Sequence, residues 1–321
     1  MSDGFGMTIG MAEETVAGTP EATVDLFFPA EDFKMDQKAE HIERKGSMGV
    51  IGKLASLPGK KTPFCDLTTE LLASLPHPFY QVLGATSAAQ QGVTAAYLHT
   101  ITIPTDLVLP SFTIEGDQGF RNGKQAGCVL DKLALSCAAG EAAKLKLSYL
   151  GLTHDANPTL TSVPAYVTDV LTFVGAKATI AGADSTTLEN IELTIDNQLE
   201  SKHVLNQQTT PGVVRRKSRP VVSGKAVFID YDADEYTKLH AATTFALVLV
   251  FEGDTISAPY KKKVEITLPC CQWTEGWDPT TKPEAINGEA GFEAFWDSVT
   301  SKLISVAATN TLTDLEGGGL S

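Results

Sequence analysis

The sequence predicts a protein dominated by β-structure, with two similar halves. The first observation is a period of two: Ile191, Leu193 and Ile195 alternate with polar residues, as in a half-buried strand. The second is an ordered unit over residues 188–251. The third is a weaker copy of that order over residues 111–151, which predicts a tandem duplication.

The unit begins with the alternating strand and continues through four further elements. These are a polar loop, a strand, a helix and a second strand, at residues 198–212, 221–229, 231–242 and 245–251. Asp232 or Asp234 can cap the helix, and Tyr236, Leu239 and His240 fall on one of its faces. The loop has neither a helical nor a strand period.

The weaker copy lies in the first half of the chain. It pairs residues 111–118 with 192–198, 125–136 with 222–232, and 144–151 with 244–253. Two β-rich halves also resemble each other by chance, so duplication and coincidence both stay open at this point.

The first half contains elements of other kinds as well. We expect a strand at 24–29, a helix at 67–75, a loop at 84–94 and two paired strands at 95–103 and 107–115. Four leucines between 67 and 75 fall on one helical face, and Pro76 and Pro78 would end that helix. A last clear strand covers residues 260–268.

Composition shifts suggest five segments. We expect an N-terminal arm, a first domain, a linker, a second domain and a C-terminal extension, at residues 1–23, 24–151, 152–164, 165–269 and 270–321. The linker has two prolines, and residues 292–307 of the extension read as a helix or as a pairing strand. Such terminal arms commonly become ordered on a neighbouring molecule.

The charge balance limits the partners. The chain has 25 basic and 39 acidic residues, a net charge of −14. A general nucleic-acid binder needs a basic face to displace counterions from phosphates, so this class is disfavoured. The five cysteines include no C-x-x-C pair, which disfavours a disulfide framework or a zinc site. We find no secretory signal and no apolar run long enough to span a membrane.

No motif supports catalysis, and we expect no enzyme activity, metal or cofactor. The six histidines form no H-E-x-x-H pair, and the nucleophile-elbow, P-loop and dinucleotide motifs are missing. Cys270 and Cys271 beside Trp273 could be imagined as a nucleophile site, but no local base or anion hole accompanies them.

The densest charge feature is the basic cluster of Arg215, Arg216, Lys217 and Arg219. It is interpreted in three ways: as a solvated loop end, as a surface that faces acidic groups of a second subunit, or as a phosphate site. The acidity of the whole chain makes the phosphate site the weakest of the three.

The N-terminal stretch resembles the start of phage major tail tube proteins of the siphovirus type. The residues that carry the match are Gly10, Glu14, Thr15, Gly18, Thr19, Pro20, Phe27, Phe28 and Pro29. Residues 193–199, the long loop after them, Arg219-Pro220, residues 222–230 and the final strand at 266–269 are similar to the same family. The long form of that family carries two tandem tube domains.

The resemblance implies an all-β tail-tube fold, a β-sandwich or barrel with one short helix per domain. It also implies that the subunits form rings and that the rings stack into a tube conducting DNA from capsid to host. A tandem chain would close a pseudo-sixfold ring of three copies, with a ring of six copies as the alternative. Partners would be further copies of the chain, the tape-measure and terminator proteins of the tail, and DNA in transit, with no membrane. The protein would be assembled in the host cytoplasm and reside in the virion tail.

The site residues that we expect fall into two sets. Subunit and ring contacts are assigned to Glu14, Thr15, Thr19, Phe27, Phe28, Arg215, Arg216, Lys217 and Arg219. An acidic lumen lining is assigned to Glu115, Asp117, Glu192 and Asp196. Two alternatives remain: the inner tube of a contractile injection or type VI secretion system, and a two-domain β-sandwich binding module.

Overall fold

The computed structural model describes residues 8–45, 54–119, 121–162, 169–230, 233–276 and 288–316. Within these ranges the chain forms twenty β-strands and two short α-helices. The strands of the first half are β1 (Thr8–Glu13), β2 (Leu26–Phe28), β3 (Asp32–Ile42), β4 (Leu57–Glu70), β5 (Ala85–Gln90), β6 (Tyr97–Thr102), β7 (Phe112–Asp117), β8 (Asn122–Ala138), β9 (Lys144–Leu150) and β10 (Thr153–Ala156). The strands of the second half are β11 (Ala176–Ile180), β12 (Ala183–Asp184), β13 (Leu188–Asp196), β14 (Leu199–Lys202), β15 (Val213–Arg216), β16 (Val221–Phe228), β17 (Phe245–Ser257), β18 (Tyr260–Gly276), β19 (Gly288–Ala294) and β20 (Ser305–Asn310). Helix α1 (His77–Leu83) follows β4, and helix α2 (Ala233–His240) follows β16.

The first unit, β1 to β10 with α1, consists of two antiparallel strand groups that share β8. One group has the order β2–β1–β7–β8–β10, and the other has the order β3–β4–β9–β8. The shared strand is 17 residues long, so its beginning can join one group and its end the other. The groups pack face to face, since the Tyr149 hydroxyl of β9 lies 3.6 Å from Met11 Sδ of β1.

The second unit, β11 to β20 with α2, repeats this arrangement around β18. Its groups have the orders β12–β11–β17–β18–β20 and β13–β16–β19–β18, and β18 is again 17 residues long. The centre of its core is Trp273, whose ring lies 4.7 Å from that of Phe245 and 6.1 Å from those of Phe228 and Phe292.

The two units agree in the register of their strands. Phe112 lies opposite Cys128 where β7 meets β8, and a β-bulge separates this pair from the next one. In the second unit Phe245 lies opposite Cys271 where β17 meets β18, and a bulge again follows. A β-bulge inserts one unpaired residue and is a placed feature rather than a random defect.

A second bulge recurs in the same way. It follows the pair of Leu130 with Tyr149 between β8 and β9, and it follows the pair of Trp273 with Phe292 between β18 and β19. The two units therefore share strand order, pairing and the sites of two irregularities.

The expected all-β class, with one short helix in each half, is confirmed. The residue correspondences behind the expected duplication were wrong, because the pairing scheme matches β13 with β3 and β17 with β7. Period-two alternation is common to nearly every strand, so a local match cannot identify which strand it has found. Duplication itself stays a prediction at this stage.

The helix expected at 67–75 is wrong, because residues 57–70 form β4. Cys65, Leu67 and Thr69 are almost fully buried, with exposed residues or half-buried ones between them, which is a strand period. The helix begins instead at His77, with Pro78 in its first turn, where the missing amide hydrogen of proline costs nothing. Its C-cap is Gly84 at a φ of 104°, a left-handed conformation that favours glycine.

Two further expectations for the first half are wrong. Residues 85–90 of the expected loop form β5, which pairs with β6. The strands expected at 95–103 and 107–115 do not pair with each other, since β6 pairs with β5 and β20, whereas β7 pairs with β1 and β8. The first unit therefore has an extra hairpin, which reaches across to the second unit.

Parts of the expected arms and linker form strands of the sheets. Strand β1 is flanked by β2 and β7, and its Ile9 and Met11 are buried. Strand β10, in the expected linker, pairs with β8. Strands β19 and β20, in the expected C-terminal extension, pair with β18. Residues 292–307, expected as one helix or one strand, therefore have strand at both ends and a turn at Asp297 between them. Residues 1–7 and 317–321 lie outside the described residues.

The remaining strand expectations of the second half, and the helix over 231–242, agree with β13, β16, α2, β17 and β18. The polar loop expected at 198–212 contains β14, which pairs with β15 as a separate hairpin. The expected strand at 24–29 agrees with β2. Neither helix of the described chain is long and apolar enough to cross a membrane.

Candidate assembly interface

The first and second units are joined edge to edge by β8 and β13. Residues 132–138 of β8 pair with 190–196 of β13 in an unbroken antiparallel register. Asp196 lies opposite Lys132, and their charged groups are 2.7 Å apart. The hydrogen bond to Asp196 raises the pKa of Lys132. We call this pairing the internal junction.

The backbone after Asp196 extends the internal junction. The Asn197 amide donates to Asp131 O at 2.8 Å, and the Leu199 amide donates to the Asp131 carboxylate at 2.7 Å. Burial raises the pKa of Asp131. The Asn197 side chain is fully buried and donates to Val82 O and Leu130 O. The buried amide of Asn197 thus helps to hold the two units together.

A second contact between the units is formed by β20 and β6. Their register places Ala308 opposite His99, whose Nε2 lies 3.0 Å from both Asn310 Oδ1 and Leu312 O. Burial lowers the pKa of His99, and burial together with the nearby His99 lowers the pKa of His77 to about 3. Both imidazoles are therefore neutral at physiological pH.

Strand β3 pairs with β4 on one side, and its other edge has no strand partner among the described residues. Pro63 O of β4 accepts from Gly151, on the side of β4 away from β3. Backbone groups alternate in direction along an antiparallel strand, so the peptide groups of Met35 and Gln37 point to the open edge. We call residues 32–38 of β3 the open edge.

Side chains of the same chain cover part of the open edge. Met35 O accepts hydrogen bonds from Gln118 Nε2 and Arg121 Nη2, both at 2.9 Å. Arg121 also pairs with Asp36 at 3.2 Å, and the Gln37 amide donates to Asp36 Oδ1. Burial raises the pKa of Asp36, but these two donors outweigh it and lower the pKa overall. Unpaired strand edges are a hazard that proteins commonly blunt with charged side chains.

The basic cluster divides between the interior and the surface. Arg216 is half-buried: it donates to Asn197 Oδ1 at 2.8 Å and to Leu107 O at 3.2 Å, and burial lowers its pKa. Arg215 is exposed and lies 3.6 Å from Glu200. Lys217 and Arg219 are also exposed. Because the Arg216 side chain is used at the internal junction, a contact of Arg216 with a second subunit stays a prediction.

In the N-terminal motif, Glu14 makes its hydrogen bonds within its own chain. Glu14 is buried, and its carboxylate accepts four hydrogen bonds, from Gly18 N, Ser111 Oγ, Thr113 Oγ1 and Gly127 N, at 2.7–3.0 Å. It therefore holds the chain after β1 to β7 and β8, and a contact of Glu14 with a neighbouring subunit stays a prediction.

The other motif residues differ in exposure. Thr15 and Thr19 are exposed, and Thr15 donates to Glu21. Phe27 is half-buried and Phe28 is buried in the core of its own chain, and a contact of Phe28 with a second subunit stays a prediction. Contacts by Thr15, Thr19 and Phe27 stay predictions.

The four acidic residues assigned to a lumen do not form one exposed surface. Glu115 is buried, 3.5 Å from Lys124, and accepts from Thr161 N, so it is not exposed in the single chain and its lumen role stays a prediction. Asp196 is engaged at the internal junction. Asp117 is half-buried and accepts from Gly119 N, whereas Glu192 is exposed. A lumen role for Glu192, Asp117 and Asp196 stays a prediction.

An exposed apolar tip between β19 and β20 was missed by the sequence reasoning. Trp296 is 63% exposed and Val299 is 90% exposed, with Phe295 beside them. The apolar spacing predicted that these residues share one face of a helix or strand. The structure instead has a turn at Asp297, whose carboxylate accepts hydrogen bonds from the amides of Val299 and Thr300. A cluster of exposed apolar groups is typical of a contact surface.

Four of the five cysteines are buried as free thiols, and Cys270 is half-buried. The buried ones are Cys65, Cys128, Cys137 and Cys271, and burial raises the pKa of Cys271 to about 12. No group of three His, Cys, Asp or Glu side chains among the described residues could hold a metal ion.

Two β-units of one pairing scheme, joined edge to edge and carrying an open edge, define a structural β-protein. A family model described as phage tail tube protein matches residues 4–294, whereas a search of curated proteins found no match. The chain belongs to the phage tail tube protein family. The resemblance noted in the N-terminal motif is thereby confirmed, and the family is structural, a component of the virion tail.

Proposed function

We propose that copies of this chain assemble into rings, and that the rings stack into the tube through which phage DNA passes to the host. The observation that carries this proposal is the repeated pairing scheme of the two units. A chain with two like units, already joined at one edge, is an element of a closed ring. A head-to-tail contact that closes gives a ring, and stacked rings give a filament.

The stoichiometry we propose is three copies to a ring. Each copy would supply two units through tandem duplication, so that six units follow one another with pseudo-sixfold symmetry. The internal junction would serve as one kind of contact around the ring, and a contact between copies as the other. A ring of six copies is the alternative outcome.

The acidity of the chain supports passage of DNA without binding. DNA binding needs basic side chains that displace the counterions of the phosphates, and a chain with a net charge of −14 has an excess of acidic ones. Repulsion between exposed acidic groups and the phosphates is felt over about 10 Å at ordinary salt. The exposed Glu192, on the outward face of β13, is the strongest candidate for the lumen wall. The exposed tip at Trp296 and the basic side chains of Arg215, Lys217 and Arg219 are candidates for contacts between stacked rings.

Within the virion the tube would contact the tape-measure and terminator proteins, after assembly in the host cytoplasm. The test is electron microscopy of the purified protein, with class averages viewed along the tube axis and a ring mass from analytical ultracentrifugation. We expect a hollow ring of three chains with six similar lobes. A protein that stays monomeric at high concentration, even when seeded with tail fragments, would contradict the proposal.

A further inference from the structure

We propose that the open edge of β3 receives the end of β18 from a second copy, with Lys38 opposite Glu275, and that the sign of this ion pair specifies which edges meet. The inference rests on the proposed ring and identifies the surface that closes it. It is derived from the internal junction by carrying each strand to its counterpart in the other unit.

The counterpart of β8 is β18. Leu130 of β8 and Trp273 of β18 hold the same place, since each precedes the bulge opposite β9 or β19. The next paired residues are Lys132 in the first unit and Glu275 in the second. Glu275 therefore occupies the position of Lys132.

The counterpart of β13 is β3. Tyr149 of β9 lies opposite Cys65, and Phe292 of β19 lies opposite Gly224, so Cys65 and Gly224 correspond. Met35 lies opposite Cys65 and Leu193 lies opposite Gly224, so Met35 and Leu193 correspond as well. Three residues further along each strand stand Lys38 and Asp196.

Carrying the internal junction over gives the register between copies. Asp196 lies opposite Lys132 in the internal junction, so Lys38 lies opposite Glu275 between copies, and Gln37 lies opposite Gly276. In the internal junction the acidic residue lies on β13 and the basic residue on β8, whereas between copies the basic residue lies on β3 and the acidic residue on β18. Lys38 and Glu275 are both exposed, and neither makes an ion pair within the part of the chain that the structure describes.

The exchange of sign discriminates against wrong pairings. If the open edge of one copy displaced β13 from β8 of another copy, Lys38 would face Lys132. If β13 met β18, Asp196 would face Glu275. Both mismatches place like charges directly opposite on neighbouring strands, which is destabilising, whereas the two correct junctions each form an ion pair.

The side chains that cover the open edge fit this assignment. Gln118 and Arg121 donate hydrogen bonds to Met35 O, the carbonyl that corresponds to Leu193 O in the internal junction. They shield Met35 O in the free chain, beside the positions of Gln37 and Lys38 at which β18 of the second copy would pair. The occupant that the charges favour is a second copy of this chain.

The first test is a charge exchange in the full-length chain. Lys38→Glu and Glu275→Lys should each raise the critical concentration for tube assembly roughly tenfold, measured by pelleting and electron microscopy. The double variant Lys38→Glu with Glu275→Lys should return it to within about threefold of the wild type. Lys146→Glu, the same charge change at an exposed position flanked by strands on both sides, is the matched control and should assemble normally.

The second test is a cross-link that does not depend on tubes. Lys38 and Glu275 would form a pair without mutual backbone hydrogen bonds, with Cα atoms about 4.5 Å apart, a separation that a disulfide spans. A mixture of Lys38→Cys and Glu275→Cys chains should give a covalent dimer under mild oxidation, and neither variant alone should do so. Thermal melting of each variant checks that the fold is intact.

The outcomes are distinguishable. Single charge variants that assemble like the wild type, or a double variant that is no better than the single ones, would overturn the inference and leave the proposed ring standing. A dimer from Lys38→Cys alone would assign the open edge to a like edge and would also overturn it. If wild-type protein forms no rings but the mixed cysteine variants cross-link, the proposed function fails while the edge assignment is supported.

Discussion

Replacing Glu14 by alanine tests whether this motif residue acts inside the chain rather than between chains. The substitution leaves the amides of Gly18 and Gly127 without their acceptor, while the hydroxyls of Ser111 and Thr113 can turn to other partners. A buried donor left without a partner costs about 1–3 kcal/mol, so we expect the two amides to lower the free energy of unfolding by roughly 2–6 kcal/mol. At about 2–4 °C per kcal/mol for a domain of this size, Tm falls on the order of 10 °C.

The assay is urea and thermal denaturation of the unassembled protein, followed by circular dichroism. Thr19→Ala is the matched control: its side chain is exposed in the same segment, and we expect a change within about 0.5 kcal/mol. A Glu14→Ala protein that melts like the wild type yet fails to assemble would refute the reasoning and return Glu14 to the subunit interface.

Three further predictions concern the Lys132–Asp196 ion pair, the buried His77 and the exposed basic side chains of Arg215 and Lys217. A double-mutant cycle on Lys132→Ala and Asp196→Ala should give a coupling of about 1 kcal/mol or less in urea denaturation, since Lys132 is half exposed, and the coupling should shrink at high salt; a coupling unchanged by salt would contradict an ion pair. Burial lowers the pKa of His77 to about 3, so as pH falls His77 is protonated in the unfolded chain before it is protonated in the folded one. The contribution of neutral His77 to stability is therefore present above about pH 6.5 and is lost as pH falls towards 3. The urea midpoint of a His77→Gln variant should change less with pH over this range than that of the wild type, and an equal slope would refute this assignment. Arg215→Glu with Lys217→Glu should lower tube yield several-fold without shifting Tm, measured by pelleting and calorimetry, and an unchanged yield would favour the solvated-loop interpretation.

The strands of the second half were predictable because their sequences carry an undisturbed period. In β13 each buried apolar residue is followed by a polar one, and β17 alternates in burial along its first seven residues. In β4 the same geometry is hidden, since its buried positions include Cys65 and Thr69, and since Leu67 fits a helical spacing with three leucines that follow the strand. Periodicity fails where polar side chains take core positions.

The candidate interface was predictable only in outline. The N-terminal motif led to the right family, but the sequence could not distinguish a residue that bonds within its own chain from one that faces a neighbour. Glu14 and Arg216 were both assigned to contacts, and both are used by backbone and amide groups distant in the sequence. The open edge of β3 could not be predicted from the sequence, because an edge is defined by the lack of a neighbouring strand, and the neighbours of a strand are known only from the folded structure.

The two long strands have a mechanical consequence. At about 3.3 Å per residue, each 17-residue strand spans about 55 Å, and each enters both strand groups of its unit. Stretching such a strand lengthwise has to break hydrogen bonds in both groups together, whereas prising it sideways breaks them one after another. The protein should therefore yield at a far higher force when it is pulled through the ends of β8 or β18 than when it is pulled across them.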